Sequence, residues 1–400
     1  MSAEALACEL SDVGRVTIRL RPTAINLLVG DAEPSYSFDL LGRLIGAYVG
    51  GLNYRRSLDN RVLSKMSGPD GTRQRRWLSP DEATRFLTAA YALAARAASA
   101  IGDPRLAVLQ AWDSAALAAD ARRFATIYRP VSILPPDQYL ALVLQATEGC
   151  SYNRCTFCDF YRDRPFRIKS ADELRGHIAA VRAFFGPAIA LRRSLFLADA
   201  NALVAPMARL RAWLDVIDAE GLSQASGPPA GGIYSFIDAF DVHRKSLADW
   251  QELAGRGLRR VYIGMESGDD ALLRFLRKPG TAGDVIEAVR LIKQAGIAAS
   301  VIIMTGIGGD RSAAAHESGT IAALKAMPLA AGDIVYFSPF IDPPGSEYGT
   351  LAAAAGIRPL TPAEMAAQEA RIRAALQTER DAGDAAPPQY ARYDIREFVY

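Results

Sequence analysis

Long hydrophobic runs, histidine and cysteine are all scarce in this chain of 400 residues, which has 3 histidines and 4 cysteines. No stretch approaches the roughly 18 to 20 apolar residues that span a bilayer, so the sequence predicts no membrane-spanning helix. The first 15 residues lack a basic segment followed by an apolar one, which argues against a secretory signal peptide. We therefore expect a cytoplasmic protein.

An excess of charge of one sign is also lacking. The 46 Lys and Arg residues stand against 44 Asp and Glu residues, which leaves a formal net charge of +2. This balance leaves a nucleic acid or an anionic membrane unsupported as a partner. The length allows about two to three domains. Half of the residues are apolar, which is typical of a globular protein.

Three of the four cysteines, Cys150, Cys155 and Cys158, lie within one short loop. In a reducing compartment, such a cluster favours metal ligation over a disulfide framework. Three thiolates on one loop can hold a soft metal centre and leave one coordination position open. A structural zinc site would need a fourth ligand, and the spacing of His177 or His243 does not argue for either. A 4Fe–4S cluster with three protein ligands fits best, and zinc stays open as the alternative.

Residues 1–135 are predicted to form an accessory region that is mostly helical. The apolar spacing in residues 38–49 favours a helix. Ser79 and Glu82 form a capping-box pattern around Pro80, which predicts an alanine-rich helix to about residue 99. A further helix is expected over residues 106–126.

Residues 136–350 change to an alternation of short apolar runs and amphipathic segments. Six strand candidates occur at residues 139–145, 194–198, 232–237, 260–265, 298–304 and 333–337. Helices are predicted between them, so the pattern implies an α/β fold with a parallel sheet, either doubly wound or a partial barrel.

Residues 351–400 lose this alternation. Thr361, Pro362 and Glu364 predict one more helix. An aromatic tail follows, whose tyrosines could contact substrate or form an interface, although a surface-packed or disordered end is the favoured interpretation.

The run Glu-Gly-Cys-Ser-Tyr-Asn-Arg-Cys-Thr-Phe-Cys at residues 148–158 resembles the cluster loop of radical S-adenosylmethionine (radical SAM) enzymes. Most members space these cysteines C-x3-C-x2-C. The longer first gap in this chain resembles a subset within the coproporphyrinogen-oxidase-like branch. The resemblance implies a partial (β/α)6 TIM-like barrel over residues 136–350. It also implies that Cys150, Cys155 and Cys158 bind a 4Fe–4S cluster whose open iron chelates S-adenosylmethionine.

The resemblance further implies contacts with S-adenosylmethionine at strand ends, where parallel α/β architectures bind ligands. The implied residues are Phe157 at the adenine, Asp199 and Asn201 at the methionine ammonium, Glu266 and Ser267 at the ribose, Lys278 at the methionine carboxylate, and Gly306 in the adenine-binding turn. Taken singly, Asp199 could instead cap the next helix, and Glu266 could be a structural ion-pair partner.

The implied activity is reductive cleavage of S-adenosylmethionine to methionine and a 5'-deoxyadenosyl radical, which abstracts hydrogen from a small-molecule substrate. An electron donor such as flavodoxin or ferredoxin is the implied partner. A non-catalytic haem- or cofactor-binding protein on the same fold and a zinc-binding structural module stay open as alternatives. Cys8 alone cannot hold an auxiliary cluster, and residues 1–135 lack a histidine motif typical of cobalamin binding. Arg162, Arg164 and Arg167 could bind an anionic substrate, although a solvated face is favoured.

Overall fold

The computed structural model describes residues 4–31, 33–68, 73–222, 231–377 and 386–400. Across these ranges, no helix combines the length and the apolarity needed to cross a membrane. The chain divides into two compact units. The first comprises Met1–Val131, His177–Arg193 and Glu397–Tyr400, and the second comprises Ser132–Gly176 and Ser194–Arg396.

An antiparallel sheet of eight strands, each paired with the next along the chain, dominates the first unit. Its strands are β1 (Glu4–Leu10), β2 (Gly14–Leu20), β3 (Ile25–Val29), β4 (Ser35–Phe38), β5 (Leu44–Val49), β6 (Leu52–Arg56), β7 (Val62–Ser67) and β8 (Arg73–Trp77). Helices α1 (Pro80–Ile101) and α2 (Ser114–Ile127) follow them. Burial alternates along β2, and its inward residues Val16 and Ile18 share a core with Leu87 and Tyr91 of α1.

The prediction that residues 1–135 are mostly helical was wrong. Residues 38–49, expected to be a helix, end β4 and form β5, with Phe38 opposite Leu44 in the register of the hairpin. Gly42 turns this hairpin at a φ of +80°, and a Cβ there would lie 2.3 Å from the carbonyl oxygen of Val108. Pairing with neighbouring strands therefore overrides the local apolar spacing. The predicted helix over residues 79–99 is confirmed, with the Ser79–Glu82 capping box formed.

A buried ionic cluster stabilises the first unit. The Nη2 atom of Arg43 lies 2.8 Å from Oδ1 of Asp120 and donates to the carbonyl oxygen of Phe184 at 2.9 Å. Arg56 approaches the other carboxylate oxygen of Asp120 at 3.6 Å. All three charged side chains are less than a tenth exposed. Asp120 therefore compensates two buried guanidinium groups.

The substitution Asp120→Ala is expected to lower the free energy of unfolding by about 3 to 5 kcal/mol, because it leaves buried positive charge without its carboxylate. Urea unfolding followed by circular dichroism measures the change. Asp12→Ala is the matched control, since Asp12 and its partner Arg96 form an ion pair on the surface. Its midpoint should not move. Equal, small effects of the two substitutions would contradict a structural role for the buried cluster.

The second unit is built around a sheet of seven parallel strands, each hydrogen-bonded to the next in chain order. The strands in this unit are β9 (Ala141–Gln145), β10 (Thr147–Glu148), β11 (Arg167–Ile168), β12 (Ser194–Ala198), β13 (Ile233–Phe236), β14 (Leu258–Glu266), β15 (Ala298–Thr305), β16 (Ile334–Pro339) and β17 (Gln389–Arg392). The parallel sheet contains β9 and β12–β17, whereas β10 and β11 form a separate antiparallel pair.

Helices connect the successive parallel strands. They are α3 (Ala171–Phe185), α4 (Met207–Ala219), α5 (Ala239–Val242), α6 (Leu247–Gly255), α7 (Asp270–Phe275), α8 (Ala282–Gln294), α9 (Gly309–Ala326), α10 (Glu347–Ala354) and α11 (Pro362–Gln377). All five residues of β9 and of β12 are buried, as expected for parallel strands covered on both faces. Within the described residues, β9 and β17 are the two edge strands of this sheet. The predicted α/β fold with a partial barrel is therefore confirmed, and each of the six predicted strands is present.

The C-terminal tail differs from its prediction. Residues 389–392 form β17, which adds a seventh parallel strand beside β16, with Gln389 opposite Ile334. Tyr393 follows directly and is only 1% exposed. The interpretation of the tail as a surface-packed or disordered end was therefore wrong. The helix predicted before it is confirmed as α11.

Candidate cofactor-binding site

The cysteine loop follows β9 at the carboxyl edge of the parallel sheet, and its three thiols are free and partly buried. Its middle is held by two other segments of the second unit. The N–H of Thr156 donates to the carbonyl oxygen of Leu276 at 3.0 Å, just after α7. The carbonyl of Thr156 accepts from the N–H of Tyr348 at 3.1 Å, near the start of α10. The loop conformation thus depends on distant parts of the chain.

Local hydrogen bonds also shape the loop. The guanidinium of Arg162 donates to the carbonyl oxygens of Cys155 at 2.8 Å and Cys158 at 3.2 Å. The N–H of Asn153 donates to Sγ of Cys150 at 3.3 Å, and Asn153 itself has a φ of +49°. Two of the three predicted metal ligands are therefore fixed by one arginine, which the sequence reasoning had considered only for substrate binding.

Burial affects the protonation of these thiols. It raises the pKa of Cys155 to about 12 and that of Cys158 to about 11. Both are therefore protonated at neutral pH when no metal is bound, and metal binding must displace their protons. Among the described residues, no group of three or more His, Cys, Asp or Glu side chains is close enough together to hold a metal ion. Three thiols on one braced loop still match the donor chemistry of an iron–sulfur cluster.

Asp199, predicted to contact the methionine ammonium, lies against protein groups in this structure. Its Oδ1 accepts from Nε2 of Gln145 at 2.8 Å, and its Oδ2 accepts from the N–H of Gly149 at 3.1 Å. Its Oδ2 is also 3.4 Å from Nε of Arg164. Burial raises the pKa of Asp199, and Arg164 opposes that shift. Both oxygens thus link the end of β12 to the residues that flank the cysteine loop.

Asn201 lies nearby, is completely buried, and keeps one acceptor free. Its Nδ2 donates to Asp241 at 2.8 Å and to Asp238 at 3.2 Å. These two carboxylates identify which end of the amide is the nitrogen. No described residue binds its Oδ1. The oxygen is itself buried, and Asn201 lies beside Ala200 of the cavity described below without lining that cavity.

Lys278 and Glu266 form a charged group with Asp238 in which Glu266 is buried and the other two side chains are partly buried, at 11% exposed for Lys278 and 19% for Asp238. Nζ of Lys278 lies 3.1 Å from Asp238 and 3.3 Å from Glu266. Burial alone would lower the pKa of Lys278, but the two carboxylates outweigh it and hold that pKa well above its usual value. Burial raises the pKa of Glu266, with Lys278 acting in the opposite direction. The group therefore sets one ammonium between two carboxylates.

The backbone at Glu266 is unusual. Glu266 has a φ of +62°, and the pairing of β14 with β15 shifts register between Gly264 and Glu266. A Cβ on Gly264 would lie 2.3 Å from Oε1 of Glu266 and 3.3 Å from Nζ of Lys278. An added Cβ at position 264 would therefore force the carboxylate of Glu266 to move.

Ser267 and Gly306, the remaining predicted contacts, have other partners. Oγ of Ser267 lies 2.8 Å from Nδ1 of the buried His316. Burial lowers the pKa of His316 to about 4, so its ring is neutral at pH 7. The N–H of Gly306 donates to Oε1 of Gln368 at 2.9 Å, and a Cβ there would lie 2.6 Å from Met365 of α11. Neither Ser267 nor Gly306 lies among the residues that line the cavity described next.

A cavity of about 200 Å³ at the carboxyl edge of the sheet brings several predicted residues together. Its lining includes the predicted residues Phe157, Cys158, Glu266 and Lys278. It also includes residues that the sequence reasoning missed, among them Asp238, Tyr161, Tyr262 and Tyr393. Asp238 follows a predicted strand, so the strand-end rule could have identified it. Tyr393 was one of the tail tyrosines considered as a substrate contact, but that interpretation was not favoured, because β17 was not predicted.

Comparison with known proteins identifies the class of the domain. Residues 144–312 match the family model described as the radical SAM superfamily. This segment of the chain is therefore a radical SAM domain, from a family whose members use a 4Fe–4S cluster and S-adenosylmethionine.

A curated relative, 4'-phospho-dehydrooxetanocin synthase of Priestia megaterium, is 27% identical over 167 residues. The match covers 39% of this chain and 22% of the relative, so the chain spans about a fifth of that protein's length.

Solved structures of other enzymes align over part of the chain. The cobalamin-dependent enzyme OxsB with aqua-cobalamin and S-adenosylmethionine bound has a TM-score of 0.38 and 14% identity, covering 78% of this chain and 36% of that one. Coproporphyrinogen III oxidase (HemN) of Escherichia coli has a TM-score of 0.42 and 13% identity, covering 64% and 54%. Methylornithine synthase has a TM-score of 0.38 and 14% identity, covering 59% and 62%. The cobalamin in the first of these belongs to that protein.

Gly264→Ala is expected to lower the free energy of unfolding by about 1 to 3 kcal/mol, because the added methyl group displaces Glu266 from Lys278. Thermal and urea unfolding measure the loss. Gly255→Ala serves as the control, since a Cβ at this position in α6 meets nothing within 4 Å. Alanine there should be neutral or stabilising. A Gly264 variant as stable as the Gly255 variant would show that the ion pair tolerates the methyl group.

Proposed function

We propose that this chain is a radical SAM enzyme that cleaves S-adenosylmethionine reductively and abstracts a hydrogen atom from a small-molecule substrate. The observation that carries the proposal is the shared cavity. Cys158 of the cysteine loop lines it together with Phe157 and the buried pair Glu266 and Lys278. A thiol ligand, an aromatic ring and fixed charges thus meet where parallel strands end.

Cys150, Cys155 and Cys158 would hold the cluster, and Arg162 would keep two of these ligands in place. When bound, the 4Fe–4S cluster and S-adenosylmethionine supply the 5'-deoxyadenosyl radical. The ring of Phe157 would lie against the adenine.

Polar groups around the cavity would orient the methionine part of the cofactor. Lys278 would face its carboxylate. Oδ1 of Asn201, which is buried just outside the lining, would have to be uncovered to accept a hydrogen bond from the methionine ammonium. Glu266 offers an acceptor for a ribose hydroxyl. The apolar remainder of the wall excludes water, which strengthens these interactions and protects a reactive intermediate.

Two predicted contacts take other roles in this proposal. Asp199 positions the cysteine loop, because its two oxygens are bound by Gln145, Gly149 and Arg164. Ser267 and His316 stabilise the turn after β14. A cytoplasmic location and an electron donor such as flavodoxin or ferredoxin complete the proposal.

Anaerobic reconstitution with iron and sulfide, followed by dithionite and S-adenosylmethionine, tests this function. Wild-type protein is expected to show iron–sulfur absorbance and to form 5'-deoxyadenosine, quantified by mass spectrometry. Cys155→Ala should reduce both to background, because one of the three ligands is lost. Cys8→Ala is the matched control, since this cysteine lies on β1, outside the loop, and both signals should persist.

Three outcomes would contradict the proposal. Wild-type protein that binds iron but forms no 5'-deoxyadenosine would exclude the radical activity. Stoichiometric zinc without iron absorbance would indicate the structural zinc module. Haem binding without cleavage of S-adenosylmethionine would indicate a non-catalytic carrier.

Asp199→Ala separates a positioning role from a direct contact with the cofactor. If Asp199 braces the loop, the iron content per protein after reconstitution should be several-fold lower in the variant than in the wild type. The affinity for S-adenosylmethionine should fall together with the iron content. Iron analysis and equilibrium binding measure the two quantities. Full iron content with weakened S-adenosylmethionine binding alone would instead identify a contact with the methionine.

A further inference from the structure

The charges around the cavity are concentrated at the end formed by the cysteine loop. Among the described residues that line it, Lys278 is the sole cation, and Asp238 and Glu266 already lie within 3.3 Å of its Nζ. Asp159, which directly follows Cys158 and also lines the cavity, is exposed to solvent and adds a further negative charge. With Lys278 assigned to the methionine carboxylate of the cofactor, the lining holds no second cation for an anionic group of the substrate.

The arginines after the cysteine loop do not supply one either. Arg162 donates to the carbonyl oxygens of Cys155 and Cys158. Arg164 lies beside Asp199, and Arg167 pairs with glutamates on the surface. None of the three arginines is part of the cavity lining.

Apart from Ser338, the rest of the lining is apolar or aromatic. It comes from β14–β16, from the segment before β9 and from the residues after β17, and includes Ile133, Tyr262, Ile302, Phe340, Tyr393 and Ile395. The hydroxyl of Tyr262 donates to Asp137 at 2.6 Å, so this residue presents its ring. The buried hydroxyl of Tyr393 has no partner among the described residues. The wall can thus accommodate a carbon skeleton.

We propose that the part of the substrate that enters this cavity is uncharged and mainly apolar, and that Tyr393 and Ile395 at the C-terminal strand form part of its wall. The inference rests on the proposed function, because it takes the cofactor to occupy the end of the cavity beside the cysteine loop. Burying an unpaired carboxylate or phosphate in the remaining wall would carry a desolvation penalty that no group there offsets. A neutral group loses no such solvation and gains from burial of apolar surface.

Two probes of similar size separate charge from shape. p-Cresol is neutral at pH 7, whereas 4-methylbenzoate carries the same methylphenyl group with a negative charge. Both are titrated by NMR into the reconstituted protein with saturating S-adenosylhomocysteine, a thioether that cannot be cleaved as a sulfonium can. We expect p-cresol to bind at least about tenfold more tightly than 4-methylbenzoate, which corresponds to about 1.4 kcal/mol.

A charge placed in the wall should reverse the preference. Ile395→Lys supplies the missing cation, and we expect it to raise the affinity for 4-methylbenzoate about tenfold and to lower that for p-cresol. Gln389→Lys is the matched control, because it adds the same charge at an exposed position of β17 outside the lining. It should change neither affinity. If circular dichroism shows that Ile395→Lys does not fold, the relative affinities of the two probes for the wild-type protein still test the inference.

Equal or tighter binding of 4-methylbenzoate to the wild type would overturn the inference. Loss of p-cresol binding when S-adenosylhomocysteine is bound would also overturn it, since the cavity would then hold the cofactor alone. In that case cleavage of S-adenosylmethionine would still proceed, and the proposed function would stand. Failure of S-adenosylhomocysteine to bind and absence of 5'-deoxyadenosine would instead reject the proposed function together with its substrate site.

Discussion

The charge of Lys278 is the constraint on which the candidate site depends. An ammonium group in the interior is stable only when it is compensated, and Asp238 and Glu266 provide that compensation from the ends of two different strands. Glu266 reaches it with a positive φ, and its carboxylate lies against Gly264, where a Cβ would displace it. The ion pair and the end of β14 are therefore coupled.

The turn after α7, which carries Lys278, also holds the cysteine loop. Leu276, two residues before Lys278, accepts both the N–H and the hydroxyl of Thr156. Arg277 between them has a φ of +50°. The backbone after α7 thus fixes the position of the ammonium and the middle of the cysteine loop together. Since Asp199 braces the other side of the loop, the thiols are positioned by contacts on both flanks.

The sequence predicted the parts of this fold that depend on local pattern. Buried parallel strands appear as short apolar runs, so all six predicted strands were found, and the cysteine spacing identified the loop. The sheet of the first unit was missed, because the pairing of Phe38 with Leu44 is set by neighbouring strands and not by apolar spacing. The strand β17 was missed because Gln389–Arg392 is short and lacks an apolar run.

The site shows the same division. Residue types at strand ends indicated Glu266 and Lys278, but the sequence could not show which groups each would bind. Asp199 and Ser267 were predicted as cofactor contacts, and the structure shows protein partners for both: Gly149 for Asp199 and His316 for Ser267. Hydrogen-bond partners distant in the chain are a property of the folded structure. A strand-end carboxylate is therefore evidence of a site, but not of its role in that site.

The two ends of the cavity are formed by residues that lie far apart in the sequence. The cysteine loop, Glu266 and Lys278 lie between residues 150 and 278, whereas Tyr393 and Ile395 belong to the last residues of the second unit. Tyr393 packs on Tyr336 with ring centroids 5.5 Å apart, so its side chain is supported by β16 and not by the cysteine loop. Substitutions at the C-terminal strand can therefore alter the apolar wall without touching the ion pair or the thiols. Under the proposed function, the cofactor would bind at the end formed by the cysteine loop, and the substrate would contact a wall that comes from another part of the chain. Such a division lets one chemistry serve different substrates.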